Sequence, residues 1–269
     1  MLNKINPRAI ELAKRQGNEE VPSERVQPVA PVQQSSSLIS NADFSFLGGA
    51  DGERIFKEYQ ARANRDYQTN PVLNKLTFSD NLVKGSNPFA FVLLNQILRE
   101  EGRWVARPED LEKCLSDVAL DLKDTYGDSA LVLRGNGDPN EYLAKQLESQ
   151  IRQRGNFQYP IMIPLVGLNL KSDSDSPHGL GFELTASAEL VYAPQFEHKN
   201  NSAKFNNADG KGLPIFDENG SRTLYTGEGG LRRLFRNWDL DLGARYGDLA
   251  VSSGGGRVVV CREATRTKK

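Results

Sequence analysis

Histidine is nearly absent from this sequence, which contains only His178 and His198 among its 269 residues. A serine or cysteine nucleophile that uses an imidazole base would therefore depend on one of these two side chains. The sequence also lacks the GxSxG, HExxH, CxxC and P-loop patterns. These patterns mark common hydrolases, metalloenzymes, redox proteins and nucleotide-binding proteins. Their absence excludes the familiar catalytic motifs and leaves open an enzyme of an unfamiliar kind.

Cysteine is equally scarce, since Cys114 and Cys261 are the two thiols and stand far apart in the chain. Two distant cysteines do not form the disulfide framework that stabilises small secreted domains. We expect both thiols to be buried and reduced, with a single long-range disulfide as the alternative.

Long apolar runs are missing as well. The longest, Phe89 to Leu94, is far shorter than the ~20 residues that span a bilayer. Residues 1–17 contain no apolar segment of the kind found in secretory signals. We therefore expect no membrane contact and no secretion by a standard signal peptide. The expected location is the cytoplasm or the interior of a virion-like particle.

The formal net charge is only -1, from 34 basic and 35 acidic residues, so the chain as a whole is not a general polyanion binder. From Arg222 to the C-terminus, however, the sequence contains ten basic residues and only five acidic ones. This basic end is either a solvated terminus or a contact surface for phosphate or for an acidic partner.

The N-terminal region has the pattern of a short helix on a tether. Asn6-Pro7 is a helix-start signal, and an apolar stripe of Ile10, Leu12 and Ala13 follows, so residues 1–17 are predicted to form a short amphipathic helix. Residues 18–42 are rich in Pro, Gln and Ser and are predicted to be a disordered, flexible linker. The apolar stripe is the predicted docking site for a protein partner.

Helical patterns dominate residues 43–155. The clearest is Phe89 to Glu101, which follows Asn87-Pro88 and is apolar over most of its surface, so it should lie in the core. A further helix is predicted from Pro108, with an apolar face that extends as far as Leu122.

Strand patterns dominate residues 156–269. Leu213 to Phe216 and Thr223 to Thr226 are predicted to form a hairpin, and the chain is predicted to end in a strand meander. Helices first and strands later predict an α+β fold. In this fold a helical N-terminal half packs on a mostly antiparallel C-terminal half, and the two halves share one core.

The loop from Asp173 to His178 is the strongest local candidate for enzyme chemistry. Asp173 and Asp175 alternate along the chain, and His178 follows, a set that could bind a divalent metal. His178 is also a candidate base, as is His198 in a polar loop. A polar surface turn explains the same residues. No cofactor is required by these patterns, and a divalent metal is the alternative.

Two weaker candidates are a phosphate cradle and a carboxylate pair. Arg134 to Pro139 lies between a predicted strand and a predicted helix, where backbone amides can attract anions, although Asp138 as a helix cap explains the same pattern. Glu183 and Glu189 could form a hydrolytic pair on adjacent strands.

The segment from Arg232 to Trp238 is the main candidate for contact with nucleic acid. Arg232, Arg233 and Arg236 alternate with Phe235 and Trp238, and arginine beside an aromatic platform is typical of single-strand binding. The alternative is one or two turns of amphipathic helix with outward arginines, which Asp239 and Asp241 favour because they would repel a polyanion.

Three functions are consistent with these patterns. The favoured one is a non-enzymatic interaction or structural subunit of a larger assembly, such as a viral or phage particle, that docks through its N-terminal arm. The alternatives are a metal-assisted hydrolase or transferase that uses the Asp173–His178 loop, and a nucleic-acid-binding protein that uses the Arg232–Trp238 segment.

Overall fold

The computed structural model of the chain describes residues 42–197 and 202–263, which form a mixed α+β fold, as the sequence predicts. Within these residues there are four α-helices: α1 (Gly49–Tyr67), α2 (Pro88–Arg99), α3 (Pro108–Ser116) and α4 (Glu141–Arg152). The predicted N-terminal helix, with Ile10, Leu12 and Ala13, lies outside the described residues. The predicted linker does too, except for Ala42.

The strands are short and are spread along the described residues. In chain order they are β1 (Ala42–Phe46), β2 (Thr77–Ser79), β3 (Leu82–Lys84), β4 (Arg103–Val105), β5 (Gly127–Leu133), β6 (Ile161–Pro164), β7 (Leu168–Ser172), β8 (Leu180–Leu184), β9 (Val191–Tyr192), β10 (Ala203–Ala208), β11 (Pro214–Phe216), β12 (Arg222–Thr226), β13 (Leu231–Arg236), β14 (Leu242–Ala244) and β15 (Val259–Glu263).

An eight-stranded sheet organises most of the fold, in the order β11-β10-β12-β14-β13-β5-β6-β9. All of its neighbours are antiparallel except β12 and β14, which run parallel. A separate three-stranded sheet joins β1, β15 and β4. Because β1 and β4 come early in the chain and β15 comes late, this small sheet ties the two ends of the described region together.

Helix α2 lies at the centre of the largest apolar cluster. It begins after Asn87, whose side chain accepts a hydrogen bond from the amide of Ala90 at 2.8 Å. Its residues from Phe89 to Leu94 are all buried, as their apolar pattern predicts. The same cluster contains Ile55 from the early helices and Phe182 from the later strands, so both parts of the chain contribute to one core.

The helical half is not confirmed as predicted. Residues 43–155 contain all four helices of the described region, but they also contain strands β1 to β5. Helix α3 is also shorter than predicted, since it ends at Ser116 and does not extend to Leu122. Val118, which was expected on its buried face, is 83% exposed and has a φ of 52°. A positive φ cannot continue a right-handed helix, so the chain turns away there.

Three local predictions in residues 156–269 were wrong, two in the partners of a strand and one in the kind of element. Strands β11 and β12 do not pair with each other, because β10 lies between them and pairs with both. The segment predicted as helical turns, Gly230 to Arg236, is instead β13, which pairs with β5. The last strand, β15, leaves the predicted meander and pairs with β1 and β4.

A smaller apolar cluster packs α3 against β15 and contains both cysteines. Cys114 and Cys261 are buried free thiols. Burial raises the pKa of each thiol, which disfavours the reactive thiolate form. The two residues therefore serve as small apolar side chains in this cluster.

Candidate functional site

A continuous run of stacked side chains covers part of one face of the eight-stranded sheet. The strand register places Tyr225, Gly243 and Phe235 side by side on β12, β14 and β13. Their neighbours Leu224 and Leu242 lie in an apolar cluster beneath the sheet. Because successive side chains alternate between the two faces of a strand, Tyr225 and Phe235 project from the opposite face.

Four aromatic rings follow one another along this face. Trp238 lies 6.2 Å from Tyr126, and Tyr126 stacks on Phe235 at 4.8 Å between ring centroids. Phe235 then stacks on Tyr246 at 5.5 Å. These separations lie within the range in which aromatic pairs attract each other beyond simple burial.

Arg245 extends the run to a fifth ring. Its guanidinium lies 5.0 Å from the centroid of Tyr246 and 4.5 Å from that of Tyr225, so it is held between two tyrosines. It also donates a hydrogen bond to the hydroxyl of Tyr246 at 3.0 Å. We call the six side chains together the aromatic face: Trp238, Tyr126, Phe235, Tyr246, Arg245 and Tyr225.

Two glycines allow the rings of the aromatic face to lie close to the backbone. A Cβ atom at Gly243 would lie 2.3 Å from the ring of Phe235, and one at Gly255 would lie 1.9 Å from the ring of Trp238. Any larger residue at either position would displace the ring above it. The sequence therefore provides flat backbone surfaces under both aromatic side chains.

A buried ion pair supports the centre of the aromatic face. The guanidinium of Arg233 lies 3.6 Å from the carboxylate of Asp128, and both side chains are almost fully buried. Arg233 also donates hydrogen bonds to the hydroxyl of Tyr126 and to the carbonyl of Val251, the latter at 2.6 Å. The hydroxyl of Ser86 donates to Asp128 at 2.6 Å. This network fixes the position of Tyr126 beneath its neighbours.

The pKa values in this network follow from burial. Burial raises the pKa of Asp128, while the charge of Arg233 and the Ser86 hydroxyl oppose that rise. Burial likewise raises the pKa of Tyr126, which therefore stays protonated at neutral pH. The Tyr126 hydroxyl that accepts the hydrogen bond from Arg233 is therefore neutral.

The aromatic face contains both buried and exposed rings. Tyr126 and Phe235 are 6% and 4% exposed, whereas Trp238 and Tyr246 are 43% and 47% exposed. Trp, Tyr and Arg are the side chains that most often carry the binding energy of protein interfaces. Because contacts with neighbouring rings and with Gly255 already fix the exposed rings, a partner would lose little conformational freedom by contacting them.

The predicted nucleic-acid segment is only partly available for contact. As a strand, β13 buries Arg233 and Arg236, which are 5% and 2% exposed, so neither can reach a phosphate in solution. Arg232 donates to the backbone carbonyls of Glu228, Gly229 and Arg245 and fixes the local loop. Of the four predicted contact residues, only Trp238 is exposed.

The Asp173–His178 loop connects β7 to β8. Its two carboxylates do not come together as a metal site or a catalytic pair. Asp173 accepts hydrogen bonds from Tyr142 at 3.0 Å and from Gln146 at 2.7 Å, which lowers its pKa against the opposing effect of burial. Asp175 is exposed. Within residues 42–197 and 202–263, no group of three or more His, Cys, Asp or Glu side chains is placed to hold a metal ion.

His178 is half-buried at the end of this loop. Its ring lies 5.2 Å from Phe89 in an edge-on arrangement, and its backbone carbonyl accepts a hydrogen bond from Asn70. Burial lowers the pKa of His178, so its ring is neutral at pH 7. The second candidate base, His198, lies outside the described residues.

The two weaker candidates also have structural partners. In the predicted phosphate cradle, Arg134 donates a hydrogen bond to the backbone carbonyl of Gly227. The alternative role of Asp138 as a helix cap was wrong, because the residue that precedes α4 is Asn140. Glu189 forms an ion pair with Lys211, and Glu183 lies on β8 beside an open groove of about 390 Å³. The groove is lined mainly by polar side chains of α4 and of the β7–β8 hairpin.

Sequence reasoning missed most of the aromatic face. Trp238 and Phe235 belonged to the predicted segment, but Tyr126, Tyr225 and Tyr246 come from three other parts of the chain. The adjacent pair Arg245-Tyr246 is the one local signal that could have pointed to it, because arginine often stacks on tyrosine.

Comparisons with known proteins do not connect the chain to a family. No protein-family model, no curated protein and no solved structure matches it.

Proposed function

We propose that this protein is a non-enzymatic interaction subunit that binds a protein partner through its aromatic face. The observation that carries the proposal is the exposure of Trp238 and Tyr246 at the two ends of a run of four contacting rings, with Arg245 beside Tyr246. Exposed apolar side chains that lie together mark interaction surfaces, whereas single exposed rings are common, and here the rings are held in place by their contacts with one another.

The local charges favour a protein over a nucleic acid as the partner. Two of the predicted arginines are buried, and Asp239 and Asp248 are exposed close in sequence to Trp238 and Tyr246. A polyanion would be repelled by these carboxylates, whereas a protein can present both apolar and charged groups. Arg245, the exposed arginine of the aromatic face, suits a carboxylate or a backbone carbonyl of a partner.

The function as a subunit of a larger assembly, including a viral or phage particle, stays a prediction from the sequence, as does docking through the N-terminal arm. No observation in the described residues favours the metal-assisted enzyme. The described residues contain no helix that is long and apolar enough to cross a membrane.

The test compares two substituted proteins that lose exposed aromatic rings in different places. Trp238→Ala with Tyr246→Ala removes the two exposed rings of the aromatic face. Tyr192→Ala removes a ring of similar exposure, 46%, from the edge strand β9 and serves as the matched control. Each tagged protein is incubated with extract of the source cells, and captured proteins are quantified by mass spectrometry.

We expect a defined protein to be captured by the wild type and by the control, and to fall at least tenfold with the double substitution, as interface hot spots do. Equal capture by all three proteins would contradict the proposal. Capture that disappears after nuclease treatment would reassign the aromatic face to nucleic acid.

A further inference from the structure

A second feature lies beneath the aromatic face, where Arg236 and Asp128 are buried with incomplete hydrogen bonding. Arg236 is 2% exposed, and its Nε and Nη1 atoms have no partner among the described protein groups. The Oδ1 atom of Asp128 also lacks a hydrogen-bond partner and lies beyond hydrogen-bond distance, 3.6 Å, from Arg233. Buried polar atoms of this kind are rare in folded proteins because each is costly.

Both side chains line the same small cavity. Its volume is about 10 Å³, and its other lining residues include Phe91, Leu111, Thr125 and Val259. A cavity of this volume is at the lower limit of what holds one water molecule, so nothing larger fits.

The chemistry of the two side chains restricts what can occupy the cavity. Arg236 offers N–H donors and therefore needs an acceptor, whereas the Asp128 oxygen is an acceptor and needs a donor. A halide ion accepts from Arg236 but would be repelled by Asp128. A metal cation would suit Asp128 but would be repelled by Arg236. Water can accept from one group and donate to the other.

We propose that this cavity is the binding site of one ordered internal water molecule, which accepts a hydrogen bond from Arg236 and donates one to Asp128. The water extends the buried network from Ser86 and Asp128 to Arg236, and so connects the start of α2 with the end of β13. It thereby stabilises the strand that carries Phe235, the central ring of the aromatic face.

The direct test is a crystal structure of the full chain at 1.5 Å or better resolution. The expected result is one density peak at about 2.6–3.2 Å both from Asp128 Oδ1 and from a guanidinium nitrogen of Arg236. A cavity without density between well-ordered side chains would overturn the proposal. So would a direct contact between Arg236 and Asp128, or an anomalous peak after bromide soaking, which would show a halide.

A solution measurement keeps the proposal testable without crystals. Oxygen-17 relaxation dispersion counts water molecules with long residence times, and the count should fall by one from the wild type to Arg236→Met. The matched control is Arg65→Met, an exposed arginine of α1, which should leave the count unchanged. An equal count for Arg236→Met and the wild type would contradict the site. If Arg236→Met does not fold, the wild-type crystal structure decides.

Discussion

The buried pair of Asp128 and Arg233 allows a quantitative prediction about stability. The carboxylate of Asp128 is 0% exposed and the side chain of Arg233 is 6% exposed. In Asp128→Asn the amide replaces the charge, so Arg233 keeps Tyr126 and Val251 as partners but becomes an uncompensated buried cation. Breaking one side of a buried ion pair typically costs about 3–5 kcal/mol.

We therefore expect Asp128→Asn to lower the free energy of unfolding by about 3 kcal/mol, measured by urea denaturation and circular dichroism. The double substitution Asp128→Leu with Arg233→Met removes both charges and should cost far less than the sum of the single changes. Asp43→Asn is the control, because it breaks an exposed ion pair with Arg262 and should change stability by less than about 1 kcal/mol.

The reasoning would be refuted if Asp128→Asn cost no more than the Asp43 control, since the buried charge of Arg233 would then be satisfied in another way. It would also be refuted if the double substitution were as destabilising as the two single changes added together, because the two charges would then act independently.

Three further predictions concern the core, the pH dependence and the N-terminal arm. Leu93→Ala in the central helix α2 should lower the free energy of unfolding by about 2–5 kcal/mol in urea denaturation, and a neutral result would contradict its central position. Burial raises the pKa of Glu109 to about 7, against the attraction of Arg107. Its stabilising contribution is therefore complete below pH ~4.5 and is lost as the pH rises through about 7, by up to about 3 kcal/mol. Glu109→Gln should remove this part of the pH dependence, and unchanged pH profiles would refute the assignment. Removal of residues 1–39 should leave the melting temperature nearly unchanged in calorimetry, and a fall of many degrees would show that the arm is part of the core.

The helices could be predicted because their signals are local. Asn87-Pro88 places a capping side chain and a proline at the start of α2, and the apolar run that follows can only be buried. The end of α3 could not be predicted in the same way. The apolar spacing continues past Ser116, but Val118 has a positive φ and is 83% exposed, and no local pattern in the sequence marks that turn.

The strands were harder because their partners are distant in sequence. In the segment Leu231 to Arg236 the spacing of apolar residues fits a helical turn as well as a strand. Pairing with β5, roughly a hundred residues earlier, decides in favour of the strand and buries two of its arginines. The strand that replaces the predicted helical turns is therefore also the reason why the prediction of exposed arginines was wrong.

The aromatic face could not be predicted at all as a unit. Its rings come from β12, β13 and three separate loop positions, and the parallel pairing of β12 with β14 brings Tyr225 near Arg245. Beyond the adjacent pair Arg245-Tyr246 and the segment that holds Phe235 and Trp238, only tertiary structure brings these residues together.

The most direct test of the central claim is site-specific photo-crosslinking in the source cells. A photoreactive phenylalanine analogue is placed at Trp238 in one protein and at Tyr192 in another, since both side chains are exposed to a similar extent. If the aromatic face binds a protein, position 238 should give a discrete crosslinked product containing a second polypeptide, and position 192 should not. The same products from both positions, or none from position 238, would contradict the claim that this face is the binding surface.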